Sequence, residues 1–398
     1  MNGLDDYKTD YLFLLVGSNP LPNYVTALLL AKNGGKVYLL HSGGDHSTSE
    51  VADRLKTAIK NRRKKLDEVL CREVDESKGH IISHRMDEIL GEIVCEASMG
   101  LNYTGGTKAM AVHVYRAMEK NGFPSLVFSY LDARTLSLVI DGKSEPIRLN
   151  PLEMDCSLSL TELLSLHGYS APVIRKIPFQ PDFCHVVAKT ISQERAWKQW
   201  KDWTKDEKNF HDLPDLVQYP ELKDIRDAFD NMCNQQATPN LVANWFGYNS
   251  LVQCSKWLIS TWLEEYVLSC ISDIAKECNI NDYCVDLDPR RQGADKFNLD
   301  VAVIKGYQLF AISCMVSDRK PKCKEHLLEV YVRARQIGGD EARIGLVCCS
   351  NDPLDLQEEI NETWFGEGRV KVFGMKDLAK LSYELKKWFQ TANDSIIR

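Results

Sequence analysis

At 398 residues the chain is too long for a single ordinary core and long enough for two or three domains. Hydrophobic residues make up 44% and charged residues 26%, the balance of a globular protein, and a formal net charge of -7 argues against a surface coated in nucleic acid while leaving room for local basic patches. No apolar run approaches the roughly 18 to 20 residues that span a bilayer, and Met1-Asn2-Gly3-Leu4-Asp5-Asp6 lacks a basic-then-apolar leader, so a cytoplasmic protein with no membrane contact is expected.

The N-terminal part alternates apolar strands with amphipathic helices. Strands are predicted at Tyr11 to Val16, Lys36 to His41, His80 to Ser83, Leu101 to Tyr103 and Ser125 to Tyr130. Helices are predicted between them, at Asn23 to Lys32, Ser49 to Leu70, Met86 to Ala97 and Thr107 to Asn121. Repeated βα units imply a parallel sheet wound on both faces, with ligands bound beyond the carboxyl ends of its strands. There Gly17-Ser18-Asn19-Pro20 and His41-Ser42-Gly43 converge with a third loop, which makes Ser18, Asn19, His41 and Ser42 candidate ligand contacts. Thr135 to Ile140 and Arg148 to Pro151 close a first domain, 1–150.

That third loop is Leu101-Asn102-Tyr103-Thr104-Gly105-Gly106-Thr107-Lys108, between a strand end and a helix start. The two glycines remove side chains that would hold an anion away, and the free N–H groups and dipole of the helix point at the same spot. Thr104 and Thr107 offer hydroxyls and Lys108 a positive charge, so a phosphate-bearing ligand is expected. The spacing is neither that of a Walker loop nor Gly-x-Gly-x-x-Gly. A capped strand-to-helix turn without a ligand would use the same residue types.

Residues 151–248 are mostly helical and polar, with Ser159-Leu160-Thr161-Glu162 opening one helix and Ala196 to Lys205 forming another, and read as a connector. Trp197, Trp200 and Trp203 recur every third residue, a packing or dimer stripe rather than a base-stacking platform. In the last unit, 249–398, a helix is predicted at Trp257 to Ile274, strands at Asp282 to Asp286, Leu299 to Lys305 and Gln308 to Met315, a helix at Glu325 to Ile337 and a strand at Ile344 to Cys349. This α-β-β-β-α-β order is that of a restriction-endonuclease-like core. The fold class is α/β throughout: a Rossmann-like N-terminal domain, a helical connector and a C-terminal nuclease-like domain. Thirteen cysteines without a Cys-x-x-Cys read as buried reduced thiols.

Both ends of the chain resemble CRISPR-associated Rossmann-fold (CARF) proteins fused to a PD-(D/E)xK nuclease-like domain, ancillary effectors of type III CRISPR systems. The Leu101 to Lys108 stretch is similar to the CARF ligand motif. Gly17-Ser18-Asn19-Pro20-Leu21-Pro22-Asn23, Leu164-Ser165-Leu166-His167-Gly168-Tyr169 and Trp262-Leu263-Glu264-Glu265-Tyr266-Val267 support it. The resemblance implies a homodimer sharing one cyclic oligoadenylate, most often cyclic tetra-adenylate, across its twofold axis. It places Ser18 and Asn19 at the ligand's edge and Asn102, Thr104, Gly105, Gly106, Thr107 and Lys108 at ribose and phosphate. It also implies Mn or Mg in the nuclease-like site, with single-stranded DNA, RNA or plasmid DNA as candidate partners.

The nuclease motif departs from the family where chemistry is decided. Asp300 stands at the first acidic position and Glu264 supplies the helix carboxylate, so these two are the candidate catalytic and metal-binding residues. Ser313 stands where the motif has Glu, and Met315 where it has Lys. Serine is a poor partner for a hard cation and methionine carries no charge, so metal affinity and charge stabilisation both fall. A displaced acid-x-Lys, Asp318 and Lys320, is the candidate replacement, and requires a bend because an odd offset faces the other side of a strand. Asp286, Asp288 and Asp295 add acids nearby, and Arg319 to Lys324 is a candidate phosphate-backbone contact. His113 and His326 read as ordinary helix residues, and Lys60 to Lys65 as a solvated face. Three functions stay open: a sensor with a non-catalytic nuclease-like domain, a sensor controlling an active metal-dependent nuclease, and a ring nuclease that cleaves the ligand itself.

Overall fold

Five parallel strands form the N-terminal sheet: β1 (Thr9–Leu15), β2 (Ala31–His41), β3 (Glu68–Glu73), β4 (Met99–Asn102) and β5 (Leu126–Asp132). β6 (Ser137–Ile140) and β7 (Ile147–Leu149) return antiparallel, giving the order β3-β2-β1-β4-β5-β6-β7. The computed structural model describes all residues except 1–3, 95, 142–146, 151–155, 172, 206, 294–295, 363–368 and 394–398. Strand alternation sends Leu12, Leu14, Val37 and Leu39 to one face, against α1 (Leu21–Leu30) and α2 (Ser49–Arg62). It sends Phe13, Leu15, Tyr38 and Leu40 to the other, against α3 (Gly79–Gly91) and α4 (Lys108–Lys120).

Two expectations are corrected here. The stretch His80 to Ser83 is helical, because Ile82, Met86, Ile89 and Leu90 recur at helix spacing and are buried on one face of α3. The strand at this edge of the sheet is instead β3, whose first residues, Glu68 to Leu70, fall in the end of the helix predicted at Ser49 to Leu70. α2 stops at Arg62, and the Arg63 guanidinium turns back onto the Ala27, Leu28 and Ala31 carbonyls at the end of α1.

The second half begins with α5 (Leu160–Leu166), opened by a Ser159–Glu162 capping box. α6 (Pro181–Ile191), α7 (Glu194–Thr204), α8 (Lys223–Cys233), α9 (Pro239–Trp245) and α10 (Trp262–Ile274) follow. The C-terminal sheet is built from β8 (Ile280–Leu287), β9 (Leu299–Lys305) and β10 (Gln308–Met315), then α11 (Lys320–Gly338), β11 (Arg343–Cys348), α12 (Pro353–Ile360), β12 (Val370–Phe373) and α13 (Leu381–Thr391). Its strand order is β12-β11-β10-β9-β8, antiparallel from β8 to β10 and parallel beyond.

One apolar core runs from the α1–α2 face of the first sheet through the α5 leucines to β9, β10 and α11. A second covers the opposite face of the C-terminal sheet with α6 to α10 and α13, and the tryptophan stripe is buried within it: Trp197, Trp200 and Trp203 are 3%, 0% and 2% exposed. The stripe is therefore a packing device of one chain. The described cysteines are free thiols, and among the described residues no helix is long and apolar enough to cross a membrane.

Candidate functional site

Because β1 and β4 are neighbours, the loops that leave them meet at the carboxyl edge of the sheet. A Cβ on Gly105 would lie 2.2 Å from the Leu15 carbonyl oxygen, and one on Gly17 would lie 3.1 Å from the Gly106 nitrogen. Gly106 adopts φ +68°, a left-handed conformation that favours glycine. The glycines are thus demanded by the contact between two loops as well as by any anion. Gly106, Thr107 and Lys108 are exposed at the start of α4, and Ser18 is exposed at the tip of the β1–α1 loop. They leave a cation and helix-start amides facing solvent.

The other predicted ligand residues are spent on the loops themselves. Asn102 is fully buried; its Oδ1 accepts the Thr104 N–H at 3.2 Å and its Nδ2 donates to Ser129 Oγ at 3.2 Å. Thr104 Oγ1 accepts the Leu131 N–H at 2.6 Å. Thr107 caps α4 by accepting the Met110 N–H at 3.1 Å and donates to the Glu76 carbonyl at 2.5 Å. His41 and Ser42 are buried: Ser42 Oγ donates to the His46 carbonyl at 3.1 Å, and the Ser42 N–H donates to Thr48 Oγ1, which reaches Val16 O. They shape the β2–α2 loop instead of lining the crevice.

At the second predicted site, Ile312 of β10 pairs with Val301 of β9, which brings Ser313 and Asp300 side by side. Asp300 Oδ2 accepts the Ser313 hydroxyl at 3.0 Å and the Cys314 N–H at 2.7 Å. The residue that replaces the motif's Glu therefore bonds the motif's Asp. A cavity of about 170 Å³ opens beside them, and α11 adds His326 and Glu329 to its lining. His326, expected to be an ordinary helix residue, is a neighbour of this site; its spacing from Glu329 on one helix face was the available signal.

Glu264 lies close enough to feel this site. Burial pushes its carboxyl up to about 8, and the charges of Asp300, Asp286 and Glu265 push the same way against Arg175. Burial also raises the Asp300 carboxyl, opposed by its Cys314 and Ser313 hydrogen bonds. The adjacent Glu265 is structural: it is 2% exposed and clamped by both Arg175 nitrogens at 2.7 and 2.8 Å. Asp286 adopts φ +56° and accepts from Asn298, Asp288 pairs with Arg290, and Asp295 lies outside the described residues.

The displaced acid-x-Lys is not brought together. Asp318 accepts Trp197 Nε1 at 3.1 Å and Lys201 Nζ at 2.8 Å, tying β10's exit to α7. Lys320 instead pairs with Asp355 and Glu359, and Lys324 with Glu359, so α12 neutralises two lysines of the basic run. For the Mn or Mg that the family resemblance implies, the donors present do not fit. Asp300 Oδ2 is occupied by Ser313 and Cys314 and Met315 offers no charge, and among the described residues no group of three or more His, Cys, Asp or Glu is placed to hold a metal.

No protein-family model matches the chain, and no curated protein matches its sequence. Solved structures do. Can2 from Sulfobacillus thermosulfidooxidans, determined in complex with cyclic tetra-adenylate, superposes with a TM-score of 0.69 at 17% identity, covering 97% of this chain and 99% of Can2. Protein VC1899 from Vibrio cholerae superposes with a TM-score of 0.61 at 16% identity, covering 96% of this chain and 99% of that one. Along nearly its whole length the chain has the fold of these two proteins, an α/β architecture with a parallel-rich seven-stranded N-terminal sheet and a mixed five-stranded C-terminal sheet.

Proposed function

We propose that the chain is a cyclic-oligoadenylate sensor of type III CRISPR defence, with cyclic tetra-adenylate its ligand and a homodimer its working form. In this reading 1–150 is the sensor, 151–248 the connector and 249–398 a nuclease-like domain that acts by binding nucleic acid or a protein, not by cutting. The observation that carries the reading is the end-to-end likeness to a protein solved with cyclic tetra-adenylate bound. The exposed Gly106-Thr107-Lys108 start of α4 supplies what a ribose-phosphate ring needs: free amides, a dipole end and a cation. Non-catalytic action is favoured by the Ser313–Asp300 hydrogen bond, which occupies the motif's first acid.

Calorimetric titration of the full chain with cyclic tetra-adenylate tests the pocket. Lys108→Ala is expected to weaken binding about 10- to 100-fold, the worth of one charge-assisted hydrogen bond; unchanged affinity removes Lys108 from the site. In the same samples, ligand-dependent cutting of single-stranded DNA, RNA or plasmid that Asp300→Ala abolishes would replace the binding role with a nuclease.

A further inference from the structure

Asn19, in the loop from β1 to α1, spends its side chain on the other half of the molecule. Its Oδ1 accepts the Leu21 N–H at 3.1 Å, and its Nδ2 donates to Glu341 Oε2 at 3.2 Å. Glu341 sits in the turn between α11 and β11 and is wholly buried. Its Oε1 has no hydrogen-bond partner among the described residues, so the Asn19 amide is the side-chain donor that compensates its burial. The Glu341 backbone is held from the opposite side, its carbonyl accepting Gln308 Nε2 at 2.8 Å and Arg343 Nη1 at 3.0 Å. Gly339 closes the contact: it adopts φ +67°, and a Cβ there would lie 2.3 Å from Asn19 Nδ2 and 2.5 Å from Glu341 Oε2.

α11 joins this contact to the second site. It ends at Gly338, beside the turn, and its His326 and Glu329 line the cavity shared with Asp300 and Ser313. A helix is a stiff element, so a shift at one end is carried along its length.

We infer that Glu341 is a positioning residue for the sensor loop, and that the Asn19–Glu341 hydrogen bond is a latch which cyclic-oligoadenylate binding opens, freeing the C-terminal end of α11. The inference rests on the ligand reading above. Gly339 has no side chain between them, so Asn19 Nδ2 reaches Glu341, and a ligand oxygen that turns this amide into the crevice carries Nδ2 away from Glu341. The buried carboxylate then loses its side-chain donor and keeps only its own backbone N–H and the nearby charges of Arg343 and Arg369, and the Gly338–Gly339 turn moves to relieve it. Ligand and latch compete for one amide, and reciprocity gives the sign: cutting the latch tightens ligand binding.

The test compares the full-length wild type with Glu341→Met, which removes the acceptor, and Glu341→Gln, which keeps one. Titration with cyclic tetra-adenylate is paired with amide hydrogen exchange at 17–21 and 336–342, with and without the ligand. Glu341→Met is expected to bind about 10- to 100-fold more tightly, the worth of one hydrogen bond to a charged group. It also exchanges faster at both segments when unliganded, and shows no further ligand-induced change along α11. Glu341→Gln follows the wild type. If Glu341→Met does not fold, the wild type decides by itself: faster exchange at 17–21 and 336–342 on adding cyclic tetra-adenylate supports the latch, and unaltered exchange at both overturns it. Unaltered or weaker binding, or unaltered exchange at 17–21 in the unliganded variant, overturns the latch. Absence of binding by the wild type overturns the ligand reading, and unliganded exchange then decides by itself whether Glu341 holds the loop.

Discussion

His167 ends α5 with its ring buried and its Nε2 without a partner among the described residues. Burial, and then the nearby Arg54 guanidinium, push its pKa down to about 4, whereas the unfolded chain takes up the proton near the ordinary value of 6.5. Between those values the unfolded state binds more protons, so the contribution is complete above 6.5 and is lost as pH falls toward 4. The full window is worth on the order of 3 kcal/mol. Thermal midpoints of the wild type are expected to drop across it, and His167→Gln to flatten the drop; parallel profiles for the two proteins would contradict this. Residue identities also show where the sequence was hard to read. Thr104 and Thr107 are in the ligand stretch that the sequence singles out, yet their hydroxyls serve backbone groups of Leu131, Met110 and Glu76. Short hydroxyl side chains bond whatever backbone folds against them, and neither Leu131 nor Glu76 is a sequence neighbour.

At the scale of elements, the glycine loop carries the clearest mutational expectation. Gly105→Ala drives a Cβ to 2.2 Å from the Leu15 carbonyl oxygen, a backbone atom of β1 that has no rotamer to escape into. Overpacking of this kind costs about 1–3 kcal/mol. Denaturant titration is expected to show that loss together with weakened ligand binding, and a fully stable Gly105→Ala would mean the two loops are not in contact. Elements differ in how legible they were. The β9–β10 hairpin was readable to the residue, since two apolar runs flank Gly306, which adopts φ +62° at the turn. β3 was not, because Glu68-Val69-Leu70-Cys71-Arg72-Glu73 mixes charge and apolar residues as a helix end does, and only pairing with β2 makes it a strand.

For the whole molecule, the core shared by both sheets makes stability a joint property. The α5 leucines, the α1–α2 face and the β9, β10 and α11 side chains belong to one buried cluster. Separating the halves would expose that cluster to water. Thermal unfolding of the full chain, followed by calorimetry, is therefore expected to give a single cooperative transition, and two well-separated transitions would show that the sheets fold independently. What the sequence determined by itself is what local chemistry can specify: alternating strands, amphipathic helices, the α5 capping box and the glycine turn at the start of α4. Those features depend on backbone sterics and on hydrogen bonds between near neighbours. Only the tertiary structure decided which side chains meet: Asn19 with Glu341, Asp318 with Trp197 and Lys201, Lys320 with the acids of α12, and Asp300 with Ser313. A polar group takes its partner from whichever face is packed against it, and those faces are set by the burial of apolar surface across the whole chain.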